Sequence, residues 1–393
     1  MVTTVGDLVD LLERWYPLSG AESWDRVGLV VGDRARPVRR VLCTVDVTLD
    51  VVDEGIRTGA DLIVAHHPLL LRGVHAVRAD EPKGAVVLRL AERRIALWCG
   101  HTNADSAIAG VAEALADRLG LTATRPMEER TASPGLDTLV TFVPPDHLDR
   151  LVDALASAGA GRVGRYDSCH FVAPGTGAFR PLPGADPYVG EVGALEHVAE
   201  LRLEMVLPRS ARGRVVEALL AAHPYETPAW HLVETVSAPA DVGLGRVGTL
   251  PEPTTLAAFG SRVAAAVPPT AGGVRIGGDP GRAVRTVAVL PGAGDSLLDR
   301  ARALGVDCYV TSDLRHHPAE EFLEWGRLDP TAPALVDVAH WAAEWPWLEV
   351  VAARLRADTD LPTDVSRLDT SPWSLCLGAR GGVSDPPSGA GAD

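Results

Sequence analysis

Lysine is almost missing from this chain: Lys83 is the single lysine in 393 residues. A glycine-rich phosphate loop that closes on Lys-Ser or Lys-Thr is therefore excluded, and a Schiff-base mechanism would have to rest on that one residue. Cysteine is sparse as well, with Cys43, Cys99, Cys169, Cys308 and Cys376 scattered singly. Five isolated thiols without CxxC spacing fit neither a disulfide framework nor a thiolate zinc site. No run of about 18 apolar residues occurs, so no spanning helix is expected. The segment from Met1 to Arg14 reads as an amphipathic helix and lacks the basic start and apolar stretch of a secretory signal, which makes the cytoplasm the expected location. Positive charge is in deficit, 37 Lys and Arg against 52 Asp and Glu for a formal net charge of −15. Such a balance disfavours a nucleic-acid partner.

What is present is the composition of a globular chain, 46% apolar and 23% charged, long enough for two or three domains. From Arg39 to Leu121, short β-branched runs alternate with helix-length segments. Strands are expected at Val41–Val47, Leu62–Ala65 and Ile95–Gly100, and helices at Asp50–Thr58, Lys83–Glu92 and Ser106–Leu119. The rhythm returns late, with strands at Thr286–Leu290, Asp307–Val310 and Leu335–Ala339, a helix at Ser296–Leu304 and another from Trp341. The pattern predicts an α/β core with a mostly parallel sheet and helices on both faces. Between the two halves the character changes to longer strands with helices near His147–Ala158 and Ala211–Ala221. The expected division is a first core half at 1–126, an inserted α+β domain at 127–246, a second core half at 247–377 and a disordered tail at 378–393.

The apolar strands end in polar residues able to bind metal: Asp46 after VLCTV, His66-His67-Pro68 after LIVA, His101 to Asp105 after IALWCG, Thr311-Ser312-Asp313 after CYV, and His340 after ALVDVA. Ligands of open parallel sheets bind beyond the carboxyl ends of the strands, so these separate segments are expected to meet in one crevice. Adjacent His66 and His67 point to opposite sides if extended, which suits two neighbouring ions better than one. His340 and Glu344 stand four apart on one face of a predicted helix, where Pro346 is tolerated in the first turns. The plain alternatives are a histidine pair beside a turn proline, a solvated helix-surface pair, and Asp105 as the N-cap of the Ser106–Leu119 helix. Taken together, His66, His67, Asp105, His340 and Glu344 form a thiolate-free set suited to two divalent ions, with Zn, Fe, Mn, Co and Ni not distinguished. Two such ions would lower the pKa of a bound water and favour hydrolysis at carbon or phosphorus. His101, Asp313, His316 and His317 are candidates for orienting the ligands or for contacting substrate.

Several segments, in order, resemble one known family: Trp24-Asp25 before GLVVGD, then AHHPLLL, HTNADSAIAGV, YVTSDLRHH and DVAHWAAE. They are similar to the Nif-three-like dinuclear-metal hexameric proteins, the GTP cyclohydrolase 1 type 2 homologs. The stretch 163–228 resembles the extra domain of the longer members. The resemblance implies an α/β core interrupted by a ferredoxin-like insert similar to PII and CutA proteins, six identical subunits in a toroid, and metal ligands at the same five positions. Many members read Thr-Gly-Asp where this chain has Thr311-Ser312-Asp313. Two functions compete at this point. One is a dinuclear-metal-dependent hydrolase of a nucleotide or related phosphorylated metabolite, with ring-opening of GTP as its sharpest form. The other is a non-catalytic metal-binding hexamer, a regulator or adaptor whose insert senses a ligand. No guanine-reading motif is visible, and Arg72, Arg275 and Arg315 are the arginines that could hold a triphosphate.

Overall fold

The computed structural model describes residues 2–129, 135–235 and 241–377. Helix α1 (Val5–Trp15) starts on a capping box, Thr4 and Asp7 each accepting the other's backbone amide. It is followed by β1 (Gly28–Val31), β2 (Val41–Thr44), α2 (Leu49–Thr58), β3 (Leu62–Ala65), α3 (Pro82–Arg93), β4 (Ala96–Cys99), α4 (Thr102–Ser106), α5 (Val111–Arg118), β5 (Thr122–Arg125) and β6 (Glu128–Glu129). The middle of the chain forms β7 (Leu136–Val143), α6 (Leu148–Ser157), β8 (His170–Phe179), β9 (Glu196–Pro208), α7 (Arg212–Ala222) and β10 (Trp230–Glu234). Next come β11 (Gly243–Leu244), β12 (Arg246–Thr255), α8 (Leu256–Ala266), β13 (Val274–Gly277), β14 (Ala283–Ala293) and α9 (Leu298–Ala303). The described chain closes with β15 (Cys308–Ser312), α10 (His316–Leu328), β16 (Ala334–Val338), α11 (His340–Thr359) and β17 (Thr363–Val365). The tail at 378–393 lies outside the described residues.

Two compact units result, Met1–Arg130 with Asp241–Asp393, and Thr131–Ala240. The second falls inside the segment 127–246. Met127 belongs to the first unit because its side chain is buried with Val247, Ala288 and Tyr309, and β6 pairs with β11 across Gly243 and Glu129.

The first unit holds two mixed sheets where the sequence suggests one mostly parallel sheet. One has the order β1-β4-β3-β2-β17, with four parallel strands and β1 antiparallel at its edge. The other has the order β13-β16-β15-β14-β12-β5, of which only β14, β15 and β16 are mutually parallel. Alternation of strand and helix does not fix strand direction: α8 and β13 separate β12 from β14, yet these two pair antiparallel. Strands β2, β3 and β4 are buried at every residue, as parallel strands covered on both faces must be.

Helix α11 packs against β2 and β17 of one sheet and β14 and β15 of the other. Every residue from Trp341 to Leu348 is buried, and a helical stretch buried all round belongs to the core, whereas Glu349, Ala353 and 356–358 are exposed. Pro346 is its seventh residue rather than part of the first turn, so the Ala342 carbonyl lacks its usual helical donor. The expected helix Ser106–Leu119 is broken into α4 and α5. Ala109 takes φ +52°, and Gly110 sits so close to α4 that a Cβ there would lie 2.0 Å from the Ala104 carbonyl oxygen. Gly110 is therefore the N-cap of α5, and Asp105 lies inside α4.

The second unit runs β-α-β-β-α-β, and its antiparallel sheet has the order β10-β7-β9-β8. Its core joins Leu151 and Leu155 of α6 and Val215 and Leu219 of α7 to Leu139, Leu203 and Met205 of the sheet.

Candidate metal centre

Strand β3 ends at Ala65, and the chain bends at once: the amides of His66 and His67 both donate to the Val45 carbonyl, at 3.2 and 2.9 Å. Freed from strand alternation, both imidazoles turn to one place. His66 Nε2 lies 3.4 Å from Glu344 Oε1, and His67 Nε2 lies 3.1 Å from Glu344 Oε2. The expectation that the pair points to opposite sides is thus corrected. His340 opens α11 and Glu344 follows one turn later, with His340 Nε2 3.0 Å from Glu344 Oε1 and 3.2 Å from His67 Nε2. Glu344 is only 2% exposed, so the pair is not a solvated helix-surface contact. Asp105 brings its Oδ1 to 3.7 Å from His66 Nε2.

The Nδ1 atoms are occupied from outside. His67 Nδ1 bonds Asp46 Oδ1 at 2.7 Å, His340 Nδ1 bonds Asp313 Oδ2 at 2.7 Å, His101 Nδ1 bonds Asp25 Oδ1 at 3.0 Å, and His66 Nδ1 bonds the Gly100 carbonyl at 2.8 Å. An imidazole that donates Nδ1–H to an oxygen presents the Nε2 lone pair, as in histidines that bind metal. Asp25 is itself fixed by the amides of Arg26 and Thr102.

Burial opposes charge here, and neighbouring charges decide the outcome. For His340 the burial penalty is outweighed by the Glu344 charge and the Asp313 hydrogen bond, which raise its pKa to about 10. His67 is raised well above the ordinary value in the same way, by Glu344 and Asp46 against burial. Burial pushes Glu344 up, but His67, His340 and His66 hold it well below the usual carboxylate range. For Asp105 burial outweighs the lowering by His101 and His67, and it is raised to about 7.

Glu344 Oε2 is buried without a hydrogen-bond partner, and so are His66 Nε2 and Asp105 Oδ1. The last two face each other across a gap too wide for a hydrogen bond. Orphaned polar atoms of this kind are costly unless something else meets them, and imidazole nitrogen with carboxylate oxygen is a donor set for a divalent cation. Donor atoms of His66, His67 and His101 lie within 4.8 Å of one another, as do those of His67, His340 and Glu344. The residues therefore fit a metal, with His67 common to both groups. Gly292 of β14 closes the pocket at φ +82°; a Cβ there would lie 2.9 Å from Glu344 Oε1.

A family model described as Duf34/NIF3 (NGG1p interacting factor 3) matches residues 3–372. The chain belongs to the DUF34/NIF3 family. Among its relatives, a protein of Mycobacterium leprae named GTP cyclohydrolase 1 type 2 homolog is 46% identical over 387 residues, 98% of this chain and 99% of that one. A Bacillus subtilis protein of the same name is 38% identical over 376 residues, 94% of this chain and 97% of that one. The crystal structure of a Bacillus cereus protein related to NIF3 matches with a TM-score of 0.65 at 33% identity, covering 96% of this chain and all of that one. A Staphylococcus aureus protein matches with a TM-score of 0.74 at 26% identity over 95% of this chain and 99% of that one.

Within this DUF34/NIF3 chain, the other sequence candidates divide. His101 joins the cluster, its ring 5.3 Å from that of His66, and Asp313 serves as the partner of His340. His316 and His317 are exposed at the start of α10, stacked edge-on to each other, without a hydrogen bond or ion pair to the cluster among the described residues. Reasoning on strand ends missed Asp25 and Gly292. Asp25 precedes β1 and reaches His101 across 76 residues; its only sequence signal is its place in the Trp24-Asp25 motif.

Proposed function

We propose that this protein holds two divalent ions through His66, His67, Asp105, His340 and Glu344, and hydrolyses a nucleotide or a related phosphorylated metabolite, with opening of the guanine ring of GTP as the sharpest form. The observation that carries this reading is the convergence of imidazole nitrogens and buried carboxylates, three of whose atoms, His66 Nε2, Asp105 Oδ1 and Glu344 Oε2, lack a hydrogen-bond partner. Ions bound there would supply Lewis-acid activation of water. Asp46, Asp313 and Asp25 would hold the imidazoles in the orientation and tautomer that binding requires. A cavity of about 640 Å³ opens beside His67 and His340 and is also lined by Arg275 and Trp373, a size that suits a nucleotide. Arg275 already pairs with Asp337 and Arg315 with Asp295, so a phosphate group would have to compete for either one.

The strand order of the second unit supports a ferredoxin-like insert. The toroidal homohexamer rests on the family resemblance and is part of the same reading. A second reading, a regulator whose insert senses a ligand, is favoured by a separate cavity inside the second unit.

Elemental analysis of the purified protein, followed by a screen of GTP, other nucleotides and phosphoesters with each metal, tests the proposal. Metal-dependent turnover that disappears in Glu344→Gln is expected. Absence of turnover across the screen, with wild type and Glu344→Gln behaving alike, would overturn the hydrolase reading.

A further inference from the structure

The second unit has a built cavity of its own, of about 600 Å³, in the range of small-molecule sites. Its walls come from two Gly/Pro-rich sequences, GTGAFRPLPGADP at Gly175–Pro187 and HPYETPAW at His223–Trp230. The metal centre uses neither. The two walls are tied together where the Asp186 amide donates to Glu226 Oε2 at 3.1 Å. The second wall is fastened to the sheet by His223, whose Nε2–H donates to the Phe142 carbonyl at 2.9 Å while its Nδ1 accepts the Tyr225 amide at 3.1 Å. That bonding makes His223 a neutral imidazole, and burial lowers its pKa in the same direction.

Aromatic rings line the space. Tyr225 lies 6.0 Å from Tyr188 and 6.1 Å from Phe179, centroid to centroid, and Phe142 completes the lining. Among these rings stands one carboxylate, Glu200 of β9. It lies flat over the backbone of Gly177 in β8, where a Cβ would come within 2.2 Å of Glu200 Oε2. The Tyr225 hydroxyl is buried without a hydrogen-bond partner, and burial together with the nearby Glu200 charge raises its pKa. Glu200 has no ion pair among the described residues. Arg180 is the one arginine on the lining and is exposed, while Glu226 adds a second acid.

These features select a ligand class. An anion would meet Glu200 and Glu226, and a neutral apolar molecule would strip water from Glu200 without supplying a countercharge. A cation gains from the carboxylate and from the negative faces of the rings at once. We propose that this cavity is a binding site for a small organic cation, an alkylammonium or guanidinium compound, seated between Tyr188, Tyr225 and Phe179 against Glu200. The site is independent of the metal centre and of the reaction proposed there.

Calorimetric titration of the full-length protein with choline and with agmatine tests it, beside 3,3-dimethylbutan-1-ol as the neutral counterpart of choline and inorganic phosphate as the anion. At least one of the two cations should saturate with a Kd of about 1 mM or tighter, equally in chelator-treated and metal-loaded protein. Glu200→Gln and Tyr188→Ala should each weaken it tenfold or more. Gly177→Ala, which displaces the carboxylate without removing it, should weaken it as well. The proposal is overturned if neither cation saturates, if Glu200→Gln binds as wild type does, if the neutral alcohol binds as well as choline, or if phosphate binds and displaces the cation. Loss of hydrolase activity or of metal would leave every one of these readings unchanged, so the two proposals fail separately.

Discussion

Gly292→Ala is the substitution that separates a metal centre from an ordinary buried ion-pair cluster. The new methyl would be 2.9 Å from Glu344 Oε1 and 3.6 Å from His340 Nε2, at a residue with φ +82°. Normal contact begins near 3.4 Å, so the carboxylate or the strand must yield by about 0.5 Å, which is the tolerance of a preorganised site. The left-handed backbone adds roughly 1–2 kcal/mol of strain for alanine. Gly59→Ala supplies the control, because Gly59 ends α2 at φ +73° with nothing within 4 Å of its Cβ position. Both variants should lose about 2–4 °C in Tm per kcal/mol of strain in the metal-free state. Only Gly292→Ala should also lose stabilisation by metal: a tenfold fall in affinity removes about 1.4 kcal/mol of it at saturating ligand. Thermal melts in chelator and in a manganese or zinc series measure both quantities. Equal metal-dependent gains in the two glycine variants would refute the placement of Glu344 as a ligand.

Metal affinity should rise with pH between about 6.5 and 9, about tenfold per unit for each proton expelled, because His67 and His340 carry raised pKa values before loading; a pH-independent affinity would contradict this. Without metal, the contribution of these two histidines to stability is complete below their ordinary pKa near 6.5 and is lost as pH rises through their folded values, about 10 for His340. Glu344, held low, contributes above its ordinary 4.5 and loses that contribution as pH falls. Chelator-treated protein should therefore unfold more easily in urea at pH 9 than at pH 6. Asp46→Asn and Asp313→Asn should each cost roughly 10- to 100-fold in metal affinity with little change in fold, read by competition with a chromophoric chelator. Deleting residues 131–240 and joining the paired strands β6 and β11 should leave a folded unit that still binds metal, since every donor lies in the first unit; a soluble truncation without metal would show that the insert helps to build the site.

Much of the site is legible because its donors sit where strands stop. Leu62–Ala65 falls at the same residues in sequence and structure, and the polar residues after it, after Cys99 and after Val338 do meet. What local pattern could not supply is direction and distance. The break between α4 and α5 depends on the close approach of Gly110 to Ala104, a tertiary fact, and it changes the role of Asp105 from an N-cap to a side chain aimed into the pocket. The two-sheet arrangement depends on pairing across the chain, as when β17 joins β2. Asp25 and Gly292 act on residues remote in sequence, so neither periodicity nor spacing marks them.

The position of Glu344 explains why such a cluster is built on α11 and not on a surface loop. A carboxylate on the buried stretch Trp341–Leu348 is almost wholly removed from water, and alone it would cost several kcal/mol. Without metal, two protonated imidazoles repay part of that cost, and they can do so only while they keep protons that a metal must displace. Loading would therefore replace one set of positive charges with another on the same carboxylate, while His66 Nε2 and Asp105 Oδ1 would gain a partner. The metal-free fold is thus tolerable near neutral pH yet incomplete. On the proposed ligand set, stability and metal occupancy would be coupled through one side chain, the buried Glu344.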